Sequence, residues 1–221
     1  MCRILAFCIL FLTAAHSAYA GAWMREQGSG FLAVSATLHQ NNNVLDYKSA
    51  VYAEWGFSPR LTLGFDLNER PGLSGHALLF SRFPIADLNE LGRFAAEVGL
   101  GAHHGPQDWH PMYKFTLSYG LGFAKPWGSG WLAVDAAMEH RTGAGDPFYK
   151  LDLTAGLSND RRFNPLLQLE TTYIKGSPIL WTVTPSVMIK AKKNIRWVVG
   201  LENKSAYPKG VGLKISLWRD F

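Results

Sequence analysis

Cysteine and charge are both scarce in this sequence. Only two cysteines occur in 221 residues, so a scaffold held together by disulfides is excluded. Charged residues make up 18% of the chain, below the roughly 25% of an ordinary soluble domain. The mean hydropathy of -0.02 argues against a polytopic helical membrane protein, and the 48% of hydrophobic residues argues against intrinsic disorder. A single domain is the natural interpretation of this length.

The motifs of common enzyme and metal sites are absent as well. No GxSxG, HExxH, P-loop or CxxC motif occurs. His103, His104, Asp108 and His110 are close in sequence, but their spacing matches no strong metal-binding pattern, and a solvated loop is the expected structure. We therefore expect neither an enzyme nor a bound metal or cofactor. Basic residues are scattered, so nucleic acid is not an expected partner.

The first 20 residues predict a secretory signal peptide that is cleaved off. Arg3 supplies a positive charge, and residues 4–15 form an apolar run that is too short to span a bilayer as a helix. Ala18-Tyr19-Ala20 is an A-x-A cleavage site. Cleavage there makes Gly21 the first residue of the mature chain, 21–221, and removes both cysteines.

Beyond residue 20 the apolar residues recur at every second position, which is typical of β-strands. The clearest run is 113–123, where aromatic and leucine side chains alternate with small or polar ones. The alternation predicts twelve strands, with ten as the fallback count. One run, 75–84, has an ambiguous phase around Leu78, Leu79 and Phe80. The predicted strands cover residues 30–39, 48–57, 61–69, 75–84, 92–103, 112–124, 130–141, 148–158, 165–175, 178–191, 195–204 and 210–221.

The polar face of these strands distinguishes a soluble sandwich from a membrane barrel. A sandwich would place long charged side chains there, whereas this face is mostly Gly, Ser, Thr and Ala with isolated charges. In a transmembrane barrel a Lys or Arg facing lipid at mid-depth costs about 2–4 kcal/mol. The charges within the strands do keep to one face, so we predict an all-β, transmembrane, up-and-down antiparallel barrel. The charged residues assigned to its lumen are Glu54, Asp66, Glu97, Lys114, Asp135, Glu139, Arg141, Lys150, Asp152, Glu170, Lys190, Glu202 and Lys214.

Aromatic residues on the apolar face fall near both ends of the strands, as in the girdles of outer-membrane barrels. An even number of strands places both termini on one side, which for a bacterial barrel is the periplasm. The sequence thus predicts a location in the cell outer membrane. The girdle residues are predicted to be Trp55, Tyr113, Phe123, Tyr149, Tyr173, Trp181, Trp197 and Phe221.

The chain ends in Leu213-Lys214-Ile215-Ser216-Leu217-Trp218-Arg219-Asp220-Phe221. This ending resembles the C-terminal signature of proteobacterial outer-membrane barrels, a terminal Phe preceded by apolar residues at alternate positions. The mature start, Gly21-Ala22-Trp23 followed by Gly28-Ser29-Gly30, looks like the opening of several functionally unassigned barrels of that kind. The resemblance implies that the barrel-assembly machinery reads the last strand. It also implies contact with outer-membrane lipid and lipopolysaccharide, and it implies no activity.

The lumen charges leave more than one function open. Eight acids face eight bases once Lys48, Arg93 and Arg196 are added, which predicts internal ion pairs rather than a track of one sign. An open lumen would make the chain a small porin-like channel for polar solutes, whereas a filled lumen would make it a structural or lipid-interacting barrel. Glycines on the lumen face favour open space. They are Gly64, Gly99, Gly101, Gly120, Gly122, Gly156 and Gly200.

A third function is suggested by one histidine on the lipid face. His140 lies two residues before Thr142. A surface acyl hydrolase needs at least a base within hydrogen-bond reach of a nucleophilic hydroxyl. Thr stands there instead of the usual Ser, and no orienting partner is apparent in the sequence. No catalytic residue is therefore assigned.

Overall fold

Every run of alternating residues forms a β-strand in the computed structural model, which describes residues 21–41, 44–126, 128–206 and 210–221. The predicted signal peptide, residues 1–20, lies outside the described residues. The prediction of twelve strands is confirmed within the described part of the chain, which also contains a short 3-10 helix at Asn89–Leu91. The strands are β1 (Gly30–Asn41), β2 (Val44–Ser58), β3 (Leu61–Arg70), β4 (Ser74–Asp87), β5 (Arg93–His104), β6 (Trp109–Lys125), β7 (Gly128–Arg141), β8 (Phe148–Leu157), β9 (Phe163–Ile174), β10 (Leu180–Lys192), β11 (Ile195–Lys204) and β12 (Val211–Asp220).

The strands close into one antiparallel barrel. Each strand pairs with its neighbours in sequence, and β1 pairs with β12 to complete the circle. At the start of this seam the Gly30 amide donates to the Phe221 carbonyl at 2.6 Å, and the Phe221 amide donates to the Gly30 carbonyl at 2.9 Å. Closure leaves no sheet edge with unpaired backbone groups, which is the requirement for a strand structure within lipid.

The barrel wall is apolar outside and polar inside. In β6, Met112, Thr116 and Ser118 are buried in the lumen, whereas Phe115 and Leu117 are 41% and 48% exposed on the outer surface. Most of the other strands repeat this pattern, so large apolar side chains cover the exterior and charged ones are buried within. That distribution is the reverse of a water-soluble protein and is typical of a barrel surrounded by lipid. None of the described helical residues forms a helix that is long and apolar enough to cross a membrane.

The two ends of the barrel differ in what they hold. The end with Gly30 and Phe221, here called the terminal end, also receives residues 21–29. The opposite end, here called the far end, is where Arg70, His104 and Arg141 finish their strands. Because odd-numbered strands run from the terminal end to the far end, the depth of any lumen residue follows from its position in its strand.

Candidate functional site

A polar cavity of about 450 Å³ occupies the half of the lumen next to the far end. It extends from Arg70 and Ser74 at the rim to Asp66 and Lys114 in the middle of the barrel. Its wall carries charges of both signs. The basic residues are Lys48, Arg70, Lys114, Arg141, Lys150, Lys204 and Lys214, and the acidic residues are Asp66, Glu139, Asp152, Glu170 and Glu202.

The charged residues assigned to the lumen from sequence fall into three groups. Those that line the cavity are Asp66, Glu139, Asp152, Glu170, Glu202, Lys114, Arg141, Lys150 and Lys214. Glu54, Glu97 and Asp135 lie deeper, between the cavity and the terminal end. Lys190 lies at the rim of the terminal end, where its ammonium is 3.7 Å from a fully exposed Asp160 carboxylate.

Two carboxylates of the cavity have close side-chain partners. Glu139 is buried and accepts a hydrogen bond from the Lys150 ammonium at 2.6 Å and from the Arg141 guanidinium at 3.0 Å. Glu202 is 2.8 Å from the Nε2 atom of His39, which is itself buried. Glu139 therefore contributes little net negative charge to the cavity.

Three lysines of the cavity lack a close carboxylate. The Lys214 ammonium donates to the neutral amide oxygen of Gln168 at 3.1 Å, and its ion pair with Glu170 is 4.0 Å long. The ion pair of Lys114 is equally long. Lys48 has no ion pair within 4 Å among the described residues. The cavity therefore offers cations that an incoming anion can reach.

Acidic residues from three neighbouring strands stand side by side on the lumen wall. Asp135 on β7 is directly opposite Asp152 on β8, which is directly opposite Glu170 on β9. Like charges in direct register repel each other. Asp152 accepts the backbone N–H of Thr171 at 3.3 Å. The Oδ1 atom of Asp135, by contrast, is buried without a hydrogen-bond partner among the described residues.

A buried ion network forms the floor of the cavity. The Arg82 guanidinium donates to Glu54 at 2.5 Å and to Glu97 at 2.7 Å, and these side chains are at most 6% exposed. Tyr52 joins the network, since its hydroxyl donates to Glu54 at 2.5 Å and accepts from Arg82 at 2.8 Å. The guanidinium thus holds two carboxylates that have no access to water.

Arg82 was missed by sequence reasoning because β4 has an ambiguous phase. In the structure Leu78 and Phe80 are buried in the lumen, whereas Leu79 is 67% exposed on the outer surface. Arg82 shares the phase of Leu78 and Phe80, and it stands directly opposite Glu97 on β5. That cross-strand pairing is the signal that could have identified it.

The segment before β1 enters the lumen from the terminal end and was also missed. The Arg25 guanidinium donates to Glu54 at 2.5 Å, and the Arg25 backbone N–H donates to the Thr62 hydroxyl at 3.0 Å. Gly56 lets this segment pass closely, because a Cβ at that position would overlap the backbone oxygen of Glu26. The segment therefore follows the inner wall and is tied to the floor network.

An apolar cluster fills the lumen between this floor and the terminal end. Trp23 of the segment packs with inward side chains of four strands, and the indole ring lies against Gly120. The partly buried Trp218 packs against the same cluster. The polar cavity is thus closed on the terminal side. The other buried members of the cluster are Trp131, Ala133, Leu166, Met188 and Val198.

The lumen glycines do not leave the open space expected from sequence. A Cβ at Gly64 would overlap the ring of Phe80, and one at Gly99 would overlap the side chain of Leu78. Gly122 is the exception, with nothing within 4 Å. Each of the others faces a side chain or backbone atom that a Cβ would crowd, so these glycines permit a close approach of neighbouring groups instead of leaving open space. They are Gly101, Gly120, Gly156 and Gly200.

The histidines at the far end are engaged in local contacts. His103 has its Nε2 atom 3.1 Å from the backbone oxygen of Thr142, and its ring lies 5.7 Å from that of His110. His104 has its Nε2 atom 2.9 Å from a Glu69 carboxylate oxygen. Among the described residues no three His, Cys, Asp or Glu side chains are grouped in a way that could hold a metal ion.

His140 does not contact Thr142 in the way that a hydrolase would need. Its ring stacks on that of Tyr113, with centroids 4.9 Å apart and planes inclined by 23°. The Thr142 backbone N–H donates to the Pro111 carbonyl at 3.0 Å. Nothing in the described part of the chain joins His140 to a hydroxyl or a carboxylate by a hydrogen bond.

The residues predicted as girdles face outward from the barrel. Trp55 and Phe221 are 6.1 Å apart at the terminal end, as measured between ring centroids. Phe123, which belongs to the same end, is half-buried. The remaining predicted girdle residues are exposed, with Trp197 at the terminal end and the others toward the far end. Those toward the far end are Tyr113, Tyr149, Tyr173 and Trp181.

No protein-family model and no curated protein sequence matches the chain. Several solved structures do match it. The KdgM porin aligns over 86% of this chain and 99% of its own, with a TM-score of 0.59 and 13% identity. The NanC porin aligns over 84% and 98%, with a TM-score of 0.61 and 9% identity. An outer-membrane channel from Pseudomonas putida F1 aligns over 90% and 97%, with a TM-score of 0.58 and 13% identity. The shared property is the fold, a twelve-stranded β-barrel of the outer-membrane type.

Proposed function

We propose that this chain is a porin-like barrel of the outer membrane that takes up small polar solutes through its charged lumen. The observation that carries the proposal is the cavity of about 450 Å³, whose wall holds seven basic and five acidic side chains inside an apolar exterior. A water-filled cavity is the environment in which so many charges can stay ionised. The likeness to the porins described above supports the same function. In this proposal the terminal end faces the periplasm.

The excess of seven basic over five acidic side chains on the cavity wall favours solutes that carry an anionic group. Lys48, Lys114 and Lys214 lack a close carboxylate, whereas the Glu139 carboxylate is 2.6 Å from the Lys150 ammonium. Hydroxyl and amide side chains between them can hydrogen-bond a hydroxylated solute. A KdgM porin has been solved in complex with oligogalacturonate, at 14% identity to this chain, which supports a hydroxylated anion as the solute class.

Passage through the barrel requires the N-terminal segment to move. Residues 21–27 and the apolar cluster around Trp23 close the terminal side of the cavity. With the segment in place we expect conductance to be low. A chain that begins at Gly28 keeps the backbone pairing of Gly28 with Gly56 at 2.9 Å and removes the part of the obstruction that residues 21–27 contribute.

The test is conductance in a planar lipid bilayer. The mature chain should give small or infrequent steps, and the chain that begins at Gly28 should give larger ones. In a salt gradient, replacing Lys48 and Lys214 by Gln should move the reversal potential away from anion preference. The matched control is Lys190→Gln, which removes a lysine at the exposed rim. Silence of both chains after correct insertion would favour the non-conducting barrel instead.

A further inference from the structure

The predicted first residue of the mature chain is buried inside the barrel beside an acidic side chain. Gly21 is buried, and a Cβ on it would be 3.1 Å from Oδ1 and 3.5 Å from Oδ2 of Asp135. One bond length further back, the Gly21 backbone lies within roughly 5 Å of this carboxylate. Ala22 and Trp23, which follow, are also buried. The predicted start of the mature chain therefore lies at the inner wall and not in solvent.

Asp135 needs a cation that the described side chains do not supply. Its Oδ1 atom is buried without a hydrogen-bond partner, and no cationic side chain lies within ion-pair distance of it in the described part of the chain. Its cross-strand neighbours are Ser118, whose hydroxyl can donate a hydrogen bond to the carboxylate but carries no charge, and Asp152, which has a like charge. An unpaired carboxylate in such a place is strongly destabilising.

We propose that removal of the signal peptide creates the missing partner, and that the new α-ammonium group of Gly21 forms a buried ion pair with Asp135. A signal peptidase adds water across the Ala20–Gly21 peptide bond. Ala20 leaves with the new carboxylate, and the Gly21 nitrogen becomes an amine that takes up a proton at neutral pH. The pair fastens the N-terminal segment inside the lumen.

The chemistry of the terminus fits the site better than an uncleaved chain does. A peptide nitrogen offers one neutral N–H, whereas an ammonium group offers three donors and a full charge. A side chain at position 21 would be crowded, since its Cβ would be 3.1 Å from the carboxylate oxygen. Glycine therefore permits the close approach of the terminus to Asp135.

The pair would complete a set of contacts that hold the N-terminal segment in the lumen. Arg25 already binds Glu54 at 2.5 Å and Trp23 packs in the apolar cluster. Both of these contacts are available to a chain with or without its signal peptide. The contact to Asp135 is available only after cleavage at Gly21, so it would strengthen closure of the terminal end only in the mature chain.

The first experiment is mass spectrometry of the protein extracted from outer membranes, which should show a chain that begins at Gly21. The second is a double-mutant cycle on the refolded mature chain, with the Gly21 amine either free or acetylated. Acetylation should lower the folding equilibrium constant at least about tenfold when Asp135 is present. It should change that constant less than about twofold in Asp135→Asn. Urea unfolding in lipid vesicles, followed by tryptophan fluorescence, gives the constants.

Controls separate the pair from a general loss of charge. Asp66→Asn removes a lumen carboxylate that is instead 3.4 Å from His76, and acetylation should still have its full effect there. A readout that needs no unfolding is the reactivity of the Gly21 amine toward reductive methylation. It should be slow in the folded barrel and fast in Asp135→Asn.

Three results would overturn the pairing. The first is a mature chain that begins at another residue. The second is an effect of acetylation that is equal in the unsubstituted chain and in Asp135→Asn. The third is a Gly21 amine that is as reactive in the folded barrel as in urea. None of these outcomes depends on whether the barrel conducts, so the pairing and the channel proposal stand or fall separately.

Discussion

The prediction with the clearest physical basis is that replacing Arg82 by Met destabilises the barrel by about 3–5 kcal/mol. The guanidinium is bonded to Glu54 at 2.5 Å and Glu97 at 2.7 Å, and all three side chains are almost inaccessible to solvent. Methionine fills a similar volume without charge. Glu54 keeps Arg25 at 2.5 Å, but Glu97 keeps only a 4.0 Å contact with a lysine. Most of the loss should therefore come from Glu97.

The assay is equilibrium urea unfolding in lipid vesicles, followed by tryptophan fluorescence. Adding Glu97→Gln to Arg82→Met should restore about 2 kcal/mol, because the stranded charge is removed. Lys190→Met is the matched control, since its 3.7 Å ion pair lies at an exposed rim and should contribute less than about 1 kcal/mol. A loss below about 1 kcal/mol for Arg82→Met, or no recovery with Glu97→Gln, would refute the assignment of Arg82 to a desolvated network.

Further predictions concern the wall, the lumen packing and the seam. Gly64→Ala should destabilise the barrel by about 1–3 kcal/mol in the same assay, and Phe80→Leu should relieve the overlap. Leu117→Lys, on the outer surface at mid-strand, should cost about 2–4 kcal/mol. Ser35→Lys, in the polar cavity, should cost much less. Deleting Phe221, whose backbone closes the seam with β1, should lower the amount of folded barrel in outer membranes, as measured by heat-modifiable gel mobility.

The barrel could be predicted from sequence because the alternation of apolar and polar residues depends only on neighbouring positions along each strand. A strand with one face in lipid and one in the lumen must alternate with period two, and each turn must break that pattern. The predicted run 113–123 lies wholly within β6, and the predicted run 61–69 coincides with β3 to one residue. Charged residues such as Lys114 could be assigned to the inner face by the same rule.

The contents of the lumen were harder to predict, because they depend on contacts between distant strands. The glycines were expected to leave space, yet Gly64 and Gly99 receive Phe80 and Leu78 from a neighbouring strand. The sequence around a glycine does not indicate which side chain of the neighbouring strand occupies the space beside it. Arg82 was not assigned to the lumen from sequence. Apolar residues of β4 also point into the lumen, so the alternation did not show which face of this strand is the inner one.

Departure of the N-terminal segment would not leave the floor network without a cation. Arg25 would leave Glu54, but Arg82 at 2.5 Å and the Tyr52 hydroxyl at 2.5 Å would remain bound to it. The network therefore keeps a cation with or without the segment, whereas the apolar contacts of Trp23 would be lost on opening. In the channel that we propose, a solute that has passed the cavity would next meet the floor network, in which Arg82 is bonded to Glu54 and Glu97. The carboxylates of Glu54 and Glu97 offset the charge of Arg82, so the anion preference that we propose rests on the lysines of the cavity and not on the floor network.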